Sequence, residues 1–368
     1  MRWFILTPLF KPASAGGAIY SEILARNLAI KEHSVTVLTE KHGAAPDSET
    51  RVLGGGSVNI RRIFPLRNDR ARKDVVFYVN FLIENLIYVI LPWFLRARSE
   101  AETRLIVHAS FLYKPSLFRI FLLLVSARRG PNFRMILDIR DNYFDDRHTK
   151  FLRYFDAIIC SARSNTERMS GFAKGALPVI HAPMPFEPLE AVSDSEVRAV
   201  ERTFGIEGKR YLLNPNGITI RKHHPVMRDA MTILRQIPEF SDVVLVTVGR
   251  ERDRTGADTQ SEARGESRYL GIVAHADMYA LMQGAFFTLV LSNEETISRS
   301  SLEAMSVCGR IILPNVPEFR EDCEDYILAN VTPEELVAKI RLLANRPPPG
   351  FPFEKHELAN YIELYENA

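Results

Sequence analysis

The sequence has few cysteines, no recognisable leader and no uninterrupted apolar run long enough to span a membrane. Its three cysteines, Cys160, Cys308 and Cys323, are odd in number, far apart and without the spacing of metal ligands. They exclude a disulfide framework and a zinc site, and they favour a reducing compartment. The apolar part of Met1–Pro8 is too short for a secretion signal, and no small-residue cleavage site follows it. We therefore expect a cytoplasmic protein.

The segment Val75–Phe94 is rich in aromatic and aliphatic residues, but Asn80, Glu84, Asn85 and Pro92 interrupt it. A bilayer span is not expected, because a spanning helix needs about 20 predominantly apolar residues. Six basic residues precede it: Arg61, Arg62, Arg67, Arg70, Arg72 and Lys73. Arg61–Phe94 therefore forms either a helix buried in the amino-terminal domain or an interfacial helix whose arginines contact anionic headgroups. The second alternative predicts peripheral attachment to the inner face of the cell membrane.

Charge is distributed unevenly along the chain. Residues 1–185 contain 27 Lys and Arg against 16 Asp and Glu, a net charge of +11, whereas residues 186–368 contain 20 against 29, a net charge of −9. A basic surface attracts anionic partners such as phospholipid, pyrophosphate or nucleic acid. Nucleic acid is the weakest of these alternatives, because no recognition motif accompanies the basic residues and the carboxyl half is acidic.

Short apolar runs alternate with helical periodicity in both halves of the chain, which predicts an α/β fold with doubly wound parallel sheets. A chain of 368 residues indicates two domains. Pro183, Pro185 and Pro188 mark the linker, so we place the domains at residues 1–185 and 186–350. The end of the chain, residues 353–368, is predicted to contain an amphipathic helix. The charged stretch Glu251–Ser267 is predicted to be a mobile loop.

Polar residues follow the predicted strands of the carboxyl half. Phe286–Leu291 is a continuous apolar run, and after it come Glu295 and then Glu303, which we expect to open a helix that Gly309 closes. Arg221 and Lys222 follow an earlier strand. In a parallel sheet these loops emerge on one edge, where two cations suit a diphosphate and carboxylates suit sugar hydroxyls. The pattern thus favours a nucleotide-sugar site, although charged residues solvated separately along the edge would look the same.

The amino half has its own candidates at strand ends. Gly16 and Gly17 precede a helix, and either a ligand approaches their backbone or they form a plain tight turn. His108 follows one strand and is either structural or functional. The run Leu137–Asp141 (LDIRD) places Asp138, Arg140 and Asp141 at another strand's carboxyl end, where they form either part of a ligand site or a surface salt-bridge cluster.

Several segments, in order, resemble glycosyltransferase family 4. PLFKPASAGGAIYSEILARNLAIKEHSVTVLT resembles the family's opening, LDIRD is similar to the RD motif of a bacterial polysaccharide branch, and EETISRSSLEAM resembles the E-x7-E signature. The resemblance implies a GT-B fold, in which two Rossmann-like domains face each other across a cleft and the carboxyl-terminal helix packs back on the amino-terminal domain. It also implies a retaining glycosyltransferase that extends a lipid-linked or polysaccharide acceptor.

The family's roles transfer to numbered positions of this sequence. Glu303 would bind the ribose, Glu295 the donor sugar, and Arg221 with Lys222 the diphosphate in place of a metal, so that no cofactor is needed and the donor is a UDP-sugar or, less favoured, a GDP-sugar. Catalysis is assigned to Glu295, Arg221, Lys222 and Asp141. Donor binding is assigned to Gly16, Gly17, Gly217, Arg221, Lys222, Gly249, Ile272, Glu295, Thr296, Ile297, Ser298 and Glu303. The acceptor side is assigned to His108, Asp138, Arg140 and Asp141.

Two positions depart from the family pattern. Ile218 stands where an arginine usually follows the glycine, and Thr296 stands where a glycine usually follows the first glutamate. These departures motivate a competing interpretation, a catalytically silent scaffold subunit of the same fold. A second alternative is a nucleotide-sugar epimerase, although no pair of proton carriers for that reaction can be identified.

Overall fold

The computed structural model describes residues 1–8, 10–11, 16–41, 45–65, 102–109, 130–140, 144, 146–292, 298–307, 310–320, 323–348 and 350–368. Its contacts divide the chain into two compact units. The amino-terminal unit comprises Met1–Pro185 and His356–Ala368, and the carboxyl-terminal unit comprises Phe186–Lys355. The chain therefore passes from one unit to the other twice.

The described strands and helices alternate along most of the chain. The strands are β1 Arg2–Leu6, β2 Ser34–Lys41, β3 Ser48–Leu53, β4 Gly56–Pro65, β5 Thr103–His108, β6 Phe133–Ile139, β7 Ala157–Cys160, β8 Val179–His181, β9 Tyr211–Asn214, β10 Val244–Val248, β11 Ser267–Gly271, β12 Phe287–Leu289, β13 Ile311–Pro314 and β14 Ile327–Leu328. The α-helices are α1 Gly16–Ile30, α2 Arg163–Ala173, α3 Asp194–Phe204, α4 His224–Leu234, α5 Gly256–Ala263, α6 His275–Gly284, α7 Arg299–Val307, α8 Pro317–Arg320, α9 Pro333–Leu343 and α10 Leu358–Asn367.

The amino-terminal unit is built on a sheet with the strand order β3-β4-β2-β1-β5-β6-β7-β8. Only the β3–β4 hairpin is antiparallel. The central strands are fully apolar where they cross the core, as expected for a parallel sheet covered on both faces. The carboxyl-terminal helix α10 belongs to this unit, since Tyr361, Ile362 and Tyr365 share a hydrophobic cluster with Trp3 of β1 and Leu24 of α1.

The carboxyl-terminal unit has six parallel strands in the order β11-β10-β9-β12-β13-β14. Counted from β9, this is the order 3-2-1-4-5-6 of a doubly wound Rossmann fold. Its core packs Met227, Met231 and Leu234 of α4 and Leu336 of α9 against β9 and β12. The predicted α/β class with doubly wound parallel sheets is confirmed in both units.

Four local features differ from the sequence predictions. The β3–β4 hairpin was not predicted, because β3 alternates exposed and half-buried residues without an apolar run. Helix α3 was also missed, although Ser193 and Glu196 form a capping box at its start. The mobile loop predicted over Glu251–Ser267 is wrong, because Gly256–Ala263 forms α5. Helix α7 begins at Arg299, one turn before the predicted start at Glu303.

The basic segment before Val75 is described only in part. Arg61 is exposed on β4, but Arg62 is buried and donates to the carbonyl oxygens of Pro46 (3.0 Å) and Lys11 (3.1 Å) and to Oε2 of Glu49 (2.9 Å). The prediction that Arg62 faces headgroups is therefore wrong, and residues 66–94 lie outside the described part of the chain. Within the described residues, no helix has the length and apolar character needed to cross a membrane.

Candidate functional site

The candidate site lies at the point where the strand order of the carboxyl-terminal sheet reverses. Strands β9 and β12 are neighbours there, with Leu212 paired to Phe287 and Leu213 to Thr288. Helix α4 follows β9 and helix α7 follows β12, so both helices begin at the carboxyl edge of the sheet. Open α/β sheets bind ligands in this crevice. The topology thus brings Arg221 and Lys222 to one side of the crevice and Glu303 to the other.

The loop after β9 is fixed to the loop after β10. The backbone N–H of Gly217 donates to the carbonyl of Val248 (2.8 Å), and the N–H of Ile218 donates to that of Arg250 (3.0 Å). Gly217 has φ +76°, and a Cβ there would lie 2.2 Å from the carbonyl oxygen of Arg250. Gly249 has φ +126°, and a Cβ there would lie 2.9 Å from the nitrogen of Gly217. Contact between the two loops therefore accounts for both glycines without a ligand.

Arg221 and Lys222 lie in a short 3₁₀ helix, Ile220–Lys222, between this loop and α4. Oδ2 of Asp253 accepts the backbone N–H of Ile220 at 2.9 Å, which caps the short helix from the neighbouring loop. Ile218, at the position where the family pattern has arginine, is 3% exposed. Its apolar side chain is part of the core under the loop, so the cations of this loop are Arg221 and Lys222.

The buried side-chain amide of Asn214 organises the hydrogen bonds next to the segment that carries Arg221 and Lys222. Oδ1 of Asn214, at the end of β9, accepts the backbone N–H of Asn216 (3.0 Å), and its Nδ2 donates to the carbonyl of Gly217 (2.9 Å). These two bonds fix which end of the amide is the donor. Nδ2 also lies 3.2 Å from Nδ1 of His224. That ring nitrogen must therefore accept a hydrogen bond, and the proton of the neutral ring belongs on Nε2.

Nε2 of His224 lies 3.3 Å from Oδ1 of Asp258 in α5, and Nη1 of Arg228 lies 3.1 Å from the same oxygen. Burial lowers the pKa of His224, and the opposing effect of Asp258 does not overcome it. The imidazole stays neutral and joins α4 to α5. This buried chain holds the start of α4, and with it the segment that carries Arg221 and Lys222.

Glu303, in the second turn of α7, is the best-defined carboxylate of the site. Nε of Arg299, one turn earlier, donates to its Oε1 at 2.6 Å, and Nε2 of His275 lies 3.2 Å from the same atom. The ring of His275 packs on that of Tyr279 with centroids 4.5 Å apart. Burial and the charge of Glu303 raise the pKa of the Tyr279 hydroxyl. Among the described contacts, the hydrogen bonds of Glu303 all end on Oε1 and none on Oε2.

Sequence reasoning missed His275, Tyr279 and Arg299. Their signal was present as two pairs at i,i+4 spacing, His275 with Tyr279 in α6 and Arg299 with Glu303 in α7, since residues four apart share a helix face. What the sequence did not show is that α6 and α7 meet at these faces. The exposed Ile272, which follows β11, is predicted to bind the donor and lies on the same edge of the sheet.

Part of the predicted donor site falls on residues that lie outside the described chain, namely Glu295, Thr296 and Ile297. Ser298 is described, and its hydroxyl accepts the backbone N–H of Ser301 at 3.2 Å and so caps α7. Within the described residues, no group of three or more His, Cys, Asp or Glu side chains is placed to hold a metal ion.

The predicted acceptor-side residues of the amino-terminal unit lie close together. His108 ends β5, is paired in register with Asp138 of β6, and is buried. Burial and the charge of Arg140 lower its pKa to about 4. Asp138 and Arg140 form a buried ion pair at 2.5 Å, so they are not a surface cluster. Gly17 in the first turn of α1 is joined to Arg140. Asp141 lies outside the described residues.

Comparisons with known proteins agree with this architecture. Residues 198–361 match the family described as Glycosyl transferases group 1, whereas comparison with curated protein sequences finds no match. The structure is similar to that of α,α-trehalose 6-phosphate synthase from Burkholderia multivorans, with a TM-score of 0.68 at 11% identity, covering 100% of this chain and 97% of that chain. It is also similar to sucrose-phosphate synthase from Thermosynechococcus elongatus, with a TM-score of 0.67 at 14% identity, covering 100% and 94% of the two chains.

A third similar structure is Anabaena HepE in complex with UDP and glucose, with a TM-score of 0.67 at 13% identity, covering 100% of this chain and 98% of that chain. At such identities the likeness shows the fold alone. The chain has the GT-B type of fold with two Rossmann-like units, and residues 198–361 match the model of the glycosyl transferases group 1.

Proposed function

We propose that the protein is a retaining glycosyltransferase that moves a sugar from a nucleoside diphosphate sugar to a lipid-linked or polysaccharide acceptor. The observation that carries the proposal is the arrangement around Glu303. Its Oε1 is engaged by Arg299 and His275, while Oε2 accepts none of the described hydrogen bonds. A carboxylate oriented in this way at the crevice of a Rossmann sheet suits the paired hydroxyls of a ribose.

The other donor contacts follow from the topology. Arg221 and Lys222 lie on the β9 side of the same crevice and bind the diphosphate. As the bond from the sugar to the phosphate breaks, negative charge grows on the departing diphosphate, and fixed cations stabilise it more in the transition state than in the ground state. Under this proposal no metal ion is required. Glu295 binds the hydroxyls of the donor sugar, as the family resemblance implies, and the sugar keeps its anomeric configuration.

A UDP-sugar is the first donor to test. Proteins of similar fold include HepE in complex with UDP and glucose and trehalose-phosphate synthases described as UDP-forming. The acceptor binds the amino-terminal unit, at the sheet edge that carries His108, Asp138, Arg140 and Asp141. A lipid-linked acceptor is supported by the basic, aromatic-rich segment Arg61–Phe94. A free sugar phosphate is the alternative, since one trehalose-phosphate synthase of similar fold is in complex with glucose-6-phosphate.

The test is release of nucleoside diphosphate during transfer to either acceptor class. Lys222→Ala and Glu303→Ala are each expected to lower kcat/KM by about 100-fold, because each removes a charged contact to the donor. Arg202→Ala is the matched control, since Arg202 forms only an exposed ion pair with Glu207. Unimpaired transfer by both site variants would contradict the site. Isomerised donor without acceptor turnover would indicate the epimerase, and no turnover with any donor would indicate the silent scaffold.

Membrane contact has a separate test. Anionic liposomes are expected to bind the protein in a salt-sensitive manner, and replacing Arg61, Arg67, Arg70 and Arg72 with glutamine should weaken that binding. Arg62 is left in place because it is buried and paired within the unit. Equal binding by the quadruple variant would remove the membrane from the proposal without affecting the donor site.

A further inference from the structure

Arg140 lies at the centre of a buried network in the amino-terminal unit. Its Nη1 donates to Oγ of Ser21 at 2.8 Å and to the carbonyl oxygen of Gly17 at 3.3 Å, both in α1. Its Nη2 lies 2.5 Å from Oδ2 of Asp138. Oγ of Ser21 donates to the same Gly17 carbonyl at 3.0 Å and lies 3.1 Å from Oγ1 of Thr7. The first turn of α1 is thus joined to the ends of β6 and β1.

The network is buried, and its charge is retained. The Arg140 side chain is 7% exposed and that of Asp138 is 1% exposed. Burial lowers the pKa of Arg140, but Asp138 and the tyrosines Tyr361, Tyr365 and Tyr20 together outweigh it and raise that pKa above its usual value. Asp138 supplies the counter-charge as an ion pair. The hydrogen bonds of the guanidinium go to Ser21 and Gly17, and a hydrogen bond from a charged donor is stronger than a neutral one in such surroundings.

The outer face of Arg140 is covered by aromatic rings that lead to the end of the chain. Its guanidinium carbon lies 4.0 Å from the centroid of the Tyr20 ring. Tyr20 packs edge-on against Tyr361 of α10 at 5.2 Å, and Tyr361 packs against Tyr365 at 5.0 Å. The carboxyl-terminal helix therefore supports the ring that holds Arg140 against α1.

We propose that Arg140 is a positioning residue that, with Asp138 and the tyrosines of α10, fixes the start of α1 and so the backbone of Gly16 and Gly17. Helix α1 follows β1 at the point where the strand order of the amino-terminal sheet reverses, between β1 and β5. That is where an open α/β sheet offers its ligand edge. Arg140 thus acts from behind this edge, without touching acceptor or donor. The catalytic consequence rests on the proposed function, but the structural coupling does not.

The chain contains a matched control for Arg140. Arg104 is also 7% exposed, also pairs with an acid two residues before it (Glu102, 2.7 Å), and also lies over an aromatic ring (Trp3, 5.8 Å). It also holds α10, by donating to the carbonyl oxygen of Glu366 at 3.0 Å. It lies at the opposite, amino end of its strand, and among the described residues its ion pair and hydrogen bonds go to Glu102 and Glu366 rather than to α1. Arg104→Lys should therefore remove a buried, ion-paired guanidinium, as Arg140→Lys does, but leave the position of α1 unchanged.

The experiment compares Arg140→Lys and Arg104→Lys by amide hydrogen exchange and by transfer kinetics, well below the melting temperature of both. Arg140→Lys is expected to speed exchange of the amides of Tyr20–Ala25 roughly tenfold, and to lower kcat roughly tenfold with donor KM little changed. Arg104→Lys should leave both near wild type. Tyr20→Leu, which keeps the ion pair but removes the ring, should fall between the two.

The coupling of Arg140 to α1 would be overturned if the Tyr20–Ala25 amides exchange at the wild-type rate in Arg140→Lys. It would also be overturned if their exchange speeds up equally in Arg104→Lys. Faster exchange with an unchanged kcat would overturn the role in the reaction. If the wild-type protein transfers no sugar from any donor, the proposed function fails, but the exchange measurement still decides whether Arg140 holds α1.

Discussion

Each unit of the protein has an arginine–carboxylate pair near the carboxyl edge of its sheet, but the two pairs differ in what surrounds them. In the amino-terminal unit Asp138 and Arg140 are 1% and 7% exposed, and buried tyrosines cover the arginine. In the carboxyl-terminal unit Glu303 is 6% exposed, but Arg299 is 23% exposed and His275 is 56% exposed.

The difference separates an enclosed pair from a partly exposed one. A buried charge must stay paired, because an unpaired one is strongly destabilising. Such an ion pair therefore serves to hold the backbone around it. A carboxylate bordered by partly exposed side chains can exchange water for a ligand at little cost. The sequence motifs indicated Asp138, Arg140 and Glu303 but not Arg299, and burial is what distinguishes the two pairs.

The largest expected effect is on folding, from Asp138→Ala. The substitution leaves the buried guanidinium of Arg140 without its counter-charge, so we expect the free energy of unfolding to fall by about 3 to 5 kcal/mol. Glu303→Ala should cost only about 1 kcal/mol, because Arg299 can turn toward solvent. Chemical denaturation of the two variants measures both. Equal losses would mean that the two pairs do not differ as described.

The second largest effect is expected in the pH dependence of the free energy of unfolding, because His108 of the amino-terminal unit is buried. The pKa of His108 is about 4 in the folded protein, against 6.5 for an unperturbed histidine. Between these values the unfolded chain binds a proton that the folded unit does not, so stability falls as the pH falls from 6.5 to 4, by at most about 3 kcal/mol. His108→Gln should remove this part of the pH dependence. Identical curves for wild type and His108→Gln would show that His108 is not buried as a neutral ring.

Nucleotide affinity should depend on the Glu303 carboxylate of the carboxyl-terminal unit and not on the buried arginine of the amino-terminal unit. Glu303→Ala is expected to weaken binding of UDP by roughly 10- to 100-fold, since a charged acceptor for the ribose hydroxyls is lost. Arg104→Lys, a perturbation confined to the amino-terminal unit, should leave the affinity unchanged. Titration calorimetry gives both values. A Kd for Glu303→Ala equal to that of wild type would remove Glu303 from the site.

The smallest effect is expected from His275→Gln, which keeps a hydrogen bond to Oε1 of Glu303 but removes the imidazole that packs on Tyr279. A few-fold loss of UDP affinity should follow, because Arg299 still orients the carboxylate. The measurement is the same titration. A loss as large as that of Glu303→Ala would make His275 a direct ligand of the nucleotide.

The central strands were predictable because β1, β6, β9 and β10 are short and mostly apolar, which indicates both their type and their burial. Their parallel order then places the loops of Gly217 and Glu303 on one edge. Contacts between elements were not predictable: His275 reaches Glu303 from a helix that follows a different strand, and Arg62 finds its partners at Lys11 and Pro46 rather than in the membrane.

Likewise, the role of the Ile218 position depends on tertiary packing. Interpreted as a missing arginine, Ile218 indicates a weakened phosphate site. In the structure its side chain is buried under a loop that the neighbouring loop holds in place. The contact between the two loops goes with the burial of position 218, and periodicity in the sequence carries no information on that contact.

The central claim is that the carboxyl-terminal unit holds a nucleoside diphosphate at the β9–β12 crevice. Titration of the intact protein with UDP, GDP, ADP and dTDP tests it most directly. We predict saturable binding of one of these nucleotides, with UDP as the first expectation, and binding weakened by roughly tenfold or more in the Lys222→Ala and Glu303→Ala variants but not in Arg202→Ala. Failure of the wild-type protein to bind any of the four would contradict the claim.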